Sequence, residues 1–483
     1  MNLRERTAAG LFWSIFQIGF RRFSSLLVFL ILARLLAPED FGLVALGSAF
    51  IAFAEFFNRL GFGEAIVQRE ELEPAHLDTA FWVMVGVGTS LTLFLMFAAP
   101  AIALWYESAD LVLVLRCLSM SVFLYSLIRV QESILIRDLQ FKVLAIRSTV
   151  ATLSGAAVGI TMAISGMGVW ALVAQQLVQA VVSLFVIWTY SDWRPGLHVS
   201  VKHFKDLFDF GSKVLGIQFM HVLNQHSDRL VIGYVLGPIA LGYYTIARRL
   251  VEILEMILSK PFVNVLFPTF SRIQMDRDKL YSSYLKCTRL VALAFFPSFI
   301  FLAIAGAEIT QLVFGDQWEP VSIVVQLLAL SALVSLITMF NDPVYRAIGK
   351  PRLALNVSIL QTISGLVLLV VAVPFGLEAL ALAALLRSML VLPYTTHIMK
   401  SVLDLDVREF VRQFFSPLMG CLAMAVLLFF WEAVRGYLVT DLIGLFLLTV
   451  AAGISYFVVV LILDRSLFIE ACGTAKMVLS RGN

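Results

Sequence analysis

Apolar runs about as long as the hydrocarbon core of a bilayer is thick recur along the whole chain. Five of them contain no Asp, Glu, Lys or Arg, and they lie at residues 79–104, 169–190, 321–340, 353–375 and 442–463. A helix of about 20 apolar residues spans that core because it satisfies its own backbone hydrogen bonds. Charged residues make up only 14% of the sequence, against about 25% in soluble domains. The sequence therefore predicts an all-α integral membrane protein.

Nine further apolar segments bring the predicted number of transmembrane helices to about fourteen. They lie at residues 8–36, 41–61, 111–136, 148–167, 214–236, 241–268, 290–307, 379–399 and 414–431. The Lys and Arg residues between spans test this count, because they accumulate on the cytoplasmic side of a membrane. With the N-terminus on that side, twenty-three fall in cytoplasmic segments and only Arg435 falls outside. Both termini are therefore predicted to be cytoplasmic.

Parts of the chain repeat at a nearly constant offset. The segment LLAPEDFG at 35–42 resembles VLGPIALG at 235–242, and residues 137–155 resemble residues 347–365. Gly168 and Gly376 continue the series in the same order. The repeat predicts two six-helix lobes in parallel pseudo-repeat around a central cavity, at 1–196 and 197–400, followed by two C-terminal helices and a tail at 401–483. Parallel repeats of this kind are a design of alternating-access transporters.

Twelve Lys and Arg residues remain inside or beside the predicted spans. Arg21 and Arg22 fall near the middle of the first span, Arg387 near the middle of the twelfth, and Arg248 and Arg249 in the outer half of the eighth. Each would cost about 2.5–3.5 kcal/mol at the bilayer centre if it faced lipid. We therefore expect these five to face a wet or charge-paired interior. Six cations nearer the span ends are expected to snorkel to the interface: Arg34, Arg59, Arg116, Arg129, Arg147 and Lys260. The twelfth is Arg229.

The first and seventh predicted helices each carry a polar stripe at helical spacing. Gln17 and Arg21 share a face of the first helix, and His221, Gln225 and Asp228 share a face of the seventh. We predict that both stripes line the cavity. The predicted substrate-binding residues are Gln17, Arg21, Arg22, His221, Gln225, Arg248, Arg249 and Arg387. The candidate site for a coupling ion, a proton or sodium, consists of Glu55, Asp228, Glu252 and Glu255.

A purely structural interpretation of these charges stays open. Arg248 could pair with Glu252, and Glu255 with Arg59, so that each charge is neutralised without touching a substrate. His221 could make an ordinary hydrogen bond between helices.

Cationic side chains in a membrane cavity suit an anionic cargo. Arginine binds phosphate through paired hydrogen bonds, so a lipid-linked sugar diphosphate is a predicted substrate. The sequence has no P-loop motif and no His or Cys cluster at metal-ligand spacing, and we predict no cofactor. The predicted outer connections are too short to hold a catalytic domain, so an enzyme is not expected. Nothing in the sequence predicts a nucleic-acid partner.

Several segments resemble those of bacterial polysaccharide-unit flippases, in the same order. They are AAGLFWSIFQ, LARLLAPEDFGLVAL, RDLQFKVLA, GMGVWALVAQQLVQ, VIGYVLGPIALGYYTIARRL, LVFGDQWEPV and AIGKPRLALNVS. The chain is thereby identified as similar to the colanic-acid-type exporters of the Wzx group, in the multidrug/oligosaccharidyl-lipid/polysaccharide exporter superfamily. The resemblance implies two lobes around a central cavity, with the last two helices appended. It implies that Arg21, Arg22, Arg248 and Arg249 are placed like the cavity arginines of related lipid flippases.

The same resemblance implies the cargo and its setting. The expected substrate is an oligosaccharide repeat unit on undecaprenyl diphosphate, moved across the bacterial inner membrane for surface polysaccharide synthesis. Coupling to protons or sodium is expected, and a polysaccharide polymerase and glycosyltransferases are expected partners beside membrane lipids. The alternatives are an organic-cation antiporter of the same superfamily, whose cavity would be acidic, and a membrane enzyme acting on lipid-linked sugars.

Overall fold

The computed structural model describes residues 19–20, 23–258, 260–434 and 442–465. The chain divides into two compact units, Met1–Thr245 and Ile246–Asn483. The helices that begin in the first unit are α1 (Phe23–Leu35), α2 (Pro38–Arg59), α3 (Phe62–Gln68), α4 (Pro74–Trp105), α5 (Asp110–Ser126), α6 (Arg129–Arg137), α7 (Phe141–Ile164), α8 (Val169–Tyr190) and α9 (Val201–Leu258). The predicted lobe boundaries at 196 and 400 remain a prediction.

The second unit is helical as well. Its elements are α10 (Lys260–Ile273), α11 (Arg277–Ile304), α12 (Gly306–Phe314), a 3₁₀ turn (Asp316–Val321), α13 (Ser322–Ile337), α14 (Asn341–Ala347), α15 (Pro351–Ala372), a second 3₁₀ turn (Val373–Phe375), α16 (Leu377–Leu403), α17 (Val407–Arg412), α18 (Phe415–Val434) and α19 (Leu442–Leu463). No strand occurs among the residues that the structure describes. The prediction of an all-α membrane protein is confirmed.

Ten of the described helical stretches are long and apolar enough to cross a membrane, and the bent pair α5 and α6 makes an eleventh. One of the ten, Gln218–Met256, contains a break at Gly237, whose φ of 80° and ψ of 177° are not helical, so it accounts for two spans. The shorter apolar stretches Phe23–Leu35 and Leu447–Leu463 lie where the first and last spans were predicted. The described residues are consistent with fourteen spans.

The fourth predicted span is bent where the sequence predicted one straight helix. The segment 111–136 is divided into α5 and α6, which meet at 42°. The indole Nε1 of Trp188 donates to the Leu127 carbonyl at 3.0 Å, so the carbonyl freed by the break has a partner. A similar interruption separates α13 from α14 after Ile337. The break is therefore a feature of both halves of the repeat.

The turns that follow these broken helices have the same backbone geometry in each unit. Leu139 has a φ of 57°, and Gly349, 210 residues later, has a φ of 74°. The amide after each of them bonds back over five residues, from Gln140 to Leu135 at 2.8 Å and from Lys350 to Tyr345 at 2.9 Å. Agreement at this level shows that the weak sequence similarity between 137–155 and 347–365 reflects a structural repeat.

The first unit also contains a close crossing built by the Pro-x-x-x-Gly segments at 38–42 and 238–242. A Cβ atom added at Gly42 would lie 1.8 Å from the Pro238 carbonyl oxygen, and one added at Gly242 would lie 1.8 Å from the Pro38 carbonyl oxygen. Only glycine allows backbones to approach this closely. Each glycine therefore contacts the proline of the other segment, and the start of α2 packs against the part of α9 that follows Gly237.

The start of α9, before the seventh predicted span, packs within the first unit. Leu207 in α9 is fully buried in a cluster with Phe62, Phe81 and Val130. The Gly196 amide donates to Asp78 Oδ1 at 2.9 Å. The segment before the seventh span is therefore helical, continuous with that span, and packed against other helices of the same unit.

Candidate functional site

Three of the predicted site residues, Gln17, Arg21 and Arg22, lie outside the described residues. His221 falls within α9, but its side chain is also outside the described part. The predicted cavity between two lobes and its lining therefore stay a prediction. The remaining predicted residues are described below, each within its own unit.

The first unit holds a network of three arginines and two glutamates on α2, α6 and α7. Arg129 donates from Nη2 to Glu55 Oε2 at 3.1 Å, and Arg59 Nη2 lies 3.6 Å from the same oxygen. Arg147 Nη2 lies 2.9 Å from Glu132 Oε1, and Arg129 Nη1 lies 3.7 Å from Glu132 Oε2. We call these five residues the charge network.

The charge network is largely withdrawn from the surface. The Arg147 and Glu55 side chains are 14% and 18% exposed, while Arg59 is the most accessible at 48%. Burying an isolated charge is costly unless a partner compensates it, which explains why each carboxylate contacts two guanidinium groups. Three cations against two anions leave one formal positive charge. The network can therefore accept an anion at its accessible side without losing its internal pairing.

Sequence reasoning found only part of this network. Glu55 was among the predicted coupling-ion residues, but Arg129 and Arg147 were predicted to snorkel at span ends, and Glu132 was not selected. The available signal was the i, i+3 spacing of Arg129 and Glu132, which favours an ion pair on one helix face. The bend at 127–128 brings this face to Glu55, and no local pattern predicts that bend.

In the second unit, Arg248 and Arg249 share one carboxylate. Arg248 Nε lies 3.3 Å from Glu252 Oε1, and Arg249 Nη1 lies 3.8 Å from Glu252 Oε2. All three side chains are partly exposed, at 34–39%. The pairing of Arg248 with Glu252 is the one that the structural interpretation anticipated, and the two guanidinium groups again outnumber the carboxylate. Glu255, one turn further along, is half-buried.

The other predicted residues have distinct surroundings. Asp228 accepts from the Tyr244 hydroxyl at 2.9 Å across the break at Gly237, and Gln225 is exposed. Arg387 packs beside Gly365, where an added Cβ atom would lie 2.9 Å from Nη1. At the equivalent place in the first unit, Gln179 packs beside Gly155. The described candidates thus form local ion pairs and hydrogen bonds.

The second unit also contains an open apolar pocket of about 480 Å³, lined by residues of α11, α13, α16, α17 and α18. Thr396, His397 and Lys400 bring polar groups to a lining that is otherwise hydrophobic apart from backbone, with Phe296 and Phe414 among its walls. None of the predicted site residues whose side chains the structure describes lines it.

A repeated bundle of membrane-spanning helices with arginine-rich charge clusters inside its units is the architecture of a polytopic transporter. The comparisons with known proteins define it further. A family described as "Polysaccharide biosynthesis protein" matches residues 31–323, more than half of the chain, and the chain belongs to this family. The resemblance noted in the sequence is thereby confirmed.

Two curated relatives cover most of the chain. The lipopolysaccharide biosynthesis protein WzxC of Escherichia coli (strain K12) is 26% identical over 73% of this chain and 70% of its own length. The succinoglycan biosynthesis transport protein ExoT of Rhizobium meliloti (strain 1021) is 25% identical over 90% of this chain and 89% of its own length. The chain is accordingly a multi-pass membrane transporter of the polysaccharide-biosynthesis class, and not an enzyme.

Solved structures show the same fold. The lipid II flippase MurJ in an inward closed conformation has a TM-score of 0.76 at 16% identity and covers 95% of this chain and 100% of that chain. A multidrug resistance MATE family transporter in an inward-facing conformation has a TM-score of 0.60 at 15% identity, covering 82% of this chain and 100% of its own. The predicted fold class is confirmed by these similarities.

Proposed function

We propose that this protein flips an anionic oligosaccharide repeat unit, linked to undecaprenyl diphosphate, across the bacterial inner membrane by alternating access. The observation that carries the proposal is the charge network, a cluster of three arginines and two glutamates with an excess positive charge in a membrane-spanning unit. The names of the relatives, which concern lipopolysaccharide and succinoglycan biosynthesis, support a saccharide cargo for surface polysaccharide.

The physical problem in flipping such a lipid is its diphosphate group. A phosphate anion pays a large solvation penalty in hydrocarbon unless cations replace its water. Arginine offers paired donors that match phosphate oxygens and stays charged at low dielectric. In the charge network, Glu55 and Glu132 hold the guanidinium groups in place before cargo arrives. Arg59, the most exposed of the three, would make the first contact with a phosphate oxygen.

Arg248 and Arg249 of the second unit supply the same chemistry around Glu252. We propose that they, with Arg21, Arg22 and the polar stripes, contact the diphosphate at other stages of transport. Proton or sodium coupling would act on the carboxylates that hold these arginines, because neutralising a carboxylate releases its guanidinium group for a phosphate. The carboxylates that we propose for this coupling are Glu55, Asp228, Glu252 and Glu255.

The proposed setting follows from the charge asymmetry of the connections. Both termini would lie in the cytoplasm, where the lipid-linked unit is made by glycosyltransferases. The flipped product would be used by a polysaccharide polymerase on the opposite side. An organic-cation antiporter is less well supported, since the described clusters carry more guanidinium groups than carboxylates.

The test is transport in proteoliposomes loaded with an undecaprenyl-diphosphate-linked oligosaccharide. The purified protein should move the lipid between leaflets, Arg59→Ala should reduce the rate at least tenfold, and Arg59→Lys should retain part of it. Arg412→Ala, an exposed arginine on the short helix α17, is the matched control and should transport normally. Normal flipping by an Arg59→Ala, Arg129→Ala double variant, or cation efflux without lipid flipping, would contradict the proposal.

A further inference from the structure

Two histidines and a glutamate meet at the start of α4, away from the charge network. His203 Nε2 lies 3.1 Å from Glu73 Oε2, and the His76 and His203 rings are 4.4 Å apart and nearly perpendicular. One ligand atom from each of the three residues lies within 4.8 Å of the other two. We call Glu73, His76 and His203 the histidine cluster.

Two ring nitrogens of the histidine cluster are buried without a hydrogen-bond partner in the described structure. They are His76 Nε2 and His203 Nδ1, and the His76 side chain is only 1% exposed. The carboxylate near His76 Nε2 is Asp206, whose Oδ2 lies 3.7 Å away, beyond hydrogen-bond distance. Buried polar atoms are normally paired, so the free nitrogen of a fully buried histidine indicates a missing partner.

The donor types in the histidine cluster select one class of partner. Two imidazoles and one carboxylate suit Zn²⁺ and similar divalent transition metals, whereas calcium and magnesium require mostly oxygen ligands. A tetrahedral ion with bonds of about 2.0–2.2 Å keeps its ligand atoms about 3.3 Å apart. The Glu73 and His203 atoms are 3.1 Å apart, close to that separation, and one ligand atom of His76 lies within 4.8 Å of a ligand atom of each.

The elements that carry the ligands are fixed before any ion binds. Trp82 donates from Nε1 to the Gly196 carbonyl at 2.7 Å, and the Ser200 amide donates to Thr79 Oγ1 at 3.1 Å. Leu207, one turn after His203, is fully buried. The start of α9 is thus held against α4, which pre-organises a site made of residues far apart in sequence.

We propose that Glu73, His76 and His203 bind a divalent transition-metal ion of the Zn²⁺ class, with water completing its coordination. The ion would bind the partnerless Nε2 of His76. Without the ion, His76 Nδ1 accepts a hydrogen bond from the Glu73 backbone N–H at 3.2 Å. With the ion on Nε2, the ring proton would move to Nδ1. The Glu73 amide, which lies on an exposed turn, would then pair with water. Asp206, which also lies 3.5 Å from Arg69, would balance charge beside the ion.

Such an ion would have a structural role. It would join the turn before the third span to the linker before the seventh, two parts of the same unit. The site is separate from the charge network, so it does not depend on the proposed flippase activity.

The test uses the full-length protein in detergent, stripped of metal with a chelator and titrated with Zn²⁺ and, separately, Co²⁺. Wild-type protein should bind one equivalent of Zn²⁺, gain thermal stability, and give the intense visible absorption of four-coordinate Co²⁺. His203→Gln and Glu73→Gln, which change partly exposed residues, should each weaken Zn²⁺ binding at least tenfold and lose the thermal shift. His198→Gln, an exposed histidine close by in sequence, should behave as wild type.

His76→Ala adds a buried variant whose folding is checked by size-exclusion chromatography. Wild-type affinity in the His203→Gln protein, or a thermal shift by Zn²⁺ that all variants share, would overturn the proposal and leave the histidine cluster as a set of ion pairs.

Discussion

Replacing Arg129 tests whether mutual neutralisation holds the charge network together. Arg129 contacts both Glu55 and Glu132, so an Arg129→Met change removes one cation from each carboxylate. Removing one partner of a fully buried pair costs about 3–5 kcal/mol. Here the side chain is 22% exposed, and Arg59 and Arg147 stay beside the two carboxylates. We therefore expect a loss of about 2 kcal/mol in the free energy of unfolding.

The measurement is equilibrium unfolding of the purified protein by SDS in mixed micelles. A double-mutant cycle with Glu55→Gln isolates the pair, and the double variant should lose about 1–2 kcal/mol less than the sum of the single losses. Arg412→Gln removes an exposed arginine and should change the unfolding free energy by less than about 0.5 kcal/mol. An additive cycle, or an Arg129→Met protein as stable as Arg412→Gln, would refute the reasoning.

Three further changes test the backbone repeat and the break in α9. Gly242→Ala places a Cβ atom 1.8 Å from a backbone carbonyl oxygen, so we expect little folded protein on size-exclusion chromatography. Gly453→Ala is the control, because the space around Gly453 is open, and it should fold normally. Equal yields of the two variants would contradict the close backbone contact between Gly242 and Pro38. Leu139→Gly relieves a left-handed backbone conformation and should raise the unfolding free energy by up to about 1 kcal/mol; a loss would mean that the leucine side chain outweighs the strain. Tyr244→Phe removes the 2.9 Å bond to Asp228 and should cost about 1–3 kcal/mol; unchanged stability in SDS would show that water replaces the hydroxyl.

The fold was predictable because lipid restricts what a sequence can do. A segment such as 169–190 has to be a helix in hydrocarbon, and α8 is observed at Val169–Tyr190. The repeat was predictable where backbone conformation demands glycine. Gly168 and Gly376 both have positive φ, of 53° and 96°, and both come directly before a helix. At Leu139, a positive φ of 57° is carried by a residue that sequence reasoning could not recognise as a turn.

The charge network was only partly predictable, for a physical reason. Sequence reasoning sorted the cations by their depth along a span that was assumed to be straight. On that assumption, Arg129 lies near a span end and is expected to snorkel. The 42° bend between α5 and α6 changes the direction of the chain just before that residue. A break of this kind depends on tertiary hydrogen bonds such as the one from Trp188. The pairing partners of Arg129 and Arg147 therefore required the structure.

The repeat copies the backbone but does not copy the charge network. At the offset of 210 that relates the turns, Arg147 corresponds to Val357, and Glu132 corresponds to Asp342, which pairs with Arg346 on its own helix. The second unit instead has Arg387 where the first has Gln179, each beside an equivalent glycine. A symmetric scaffold thus carries its cations at different positions in its two halves. If the cations bind the cargo, the diphosphate would meet different groups in each half, and Arg387→Gln, which restores the residue of the other half, should impair transport without disturbing the packing of α16 on α15.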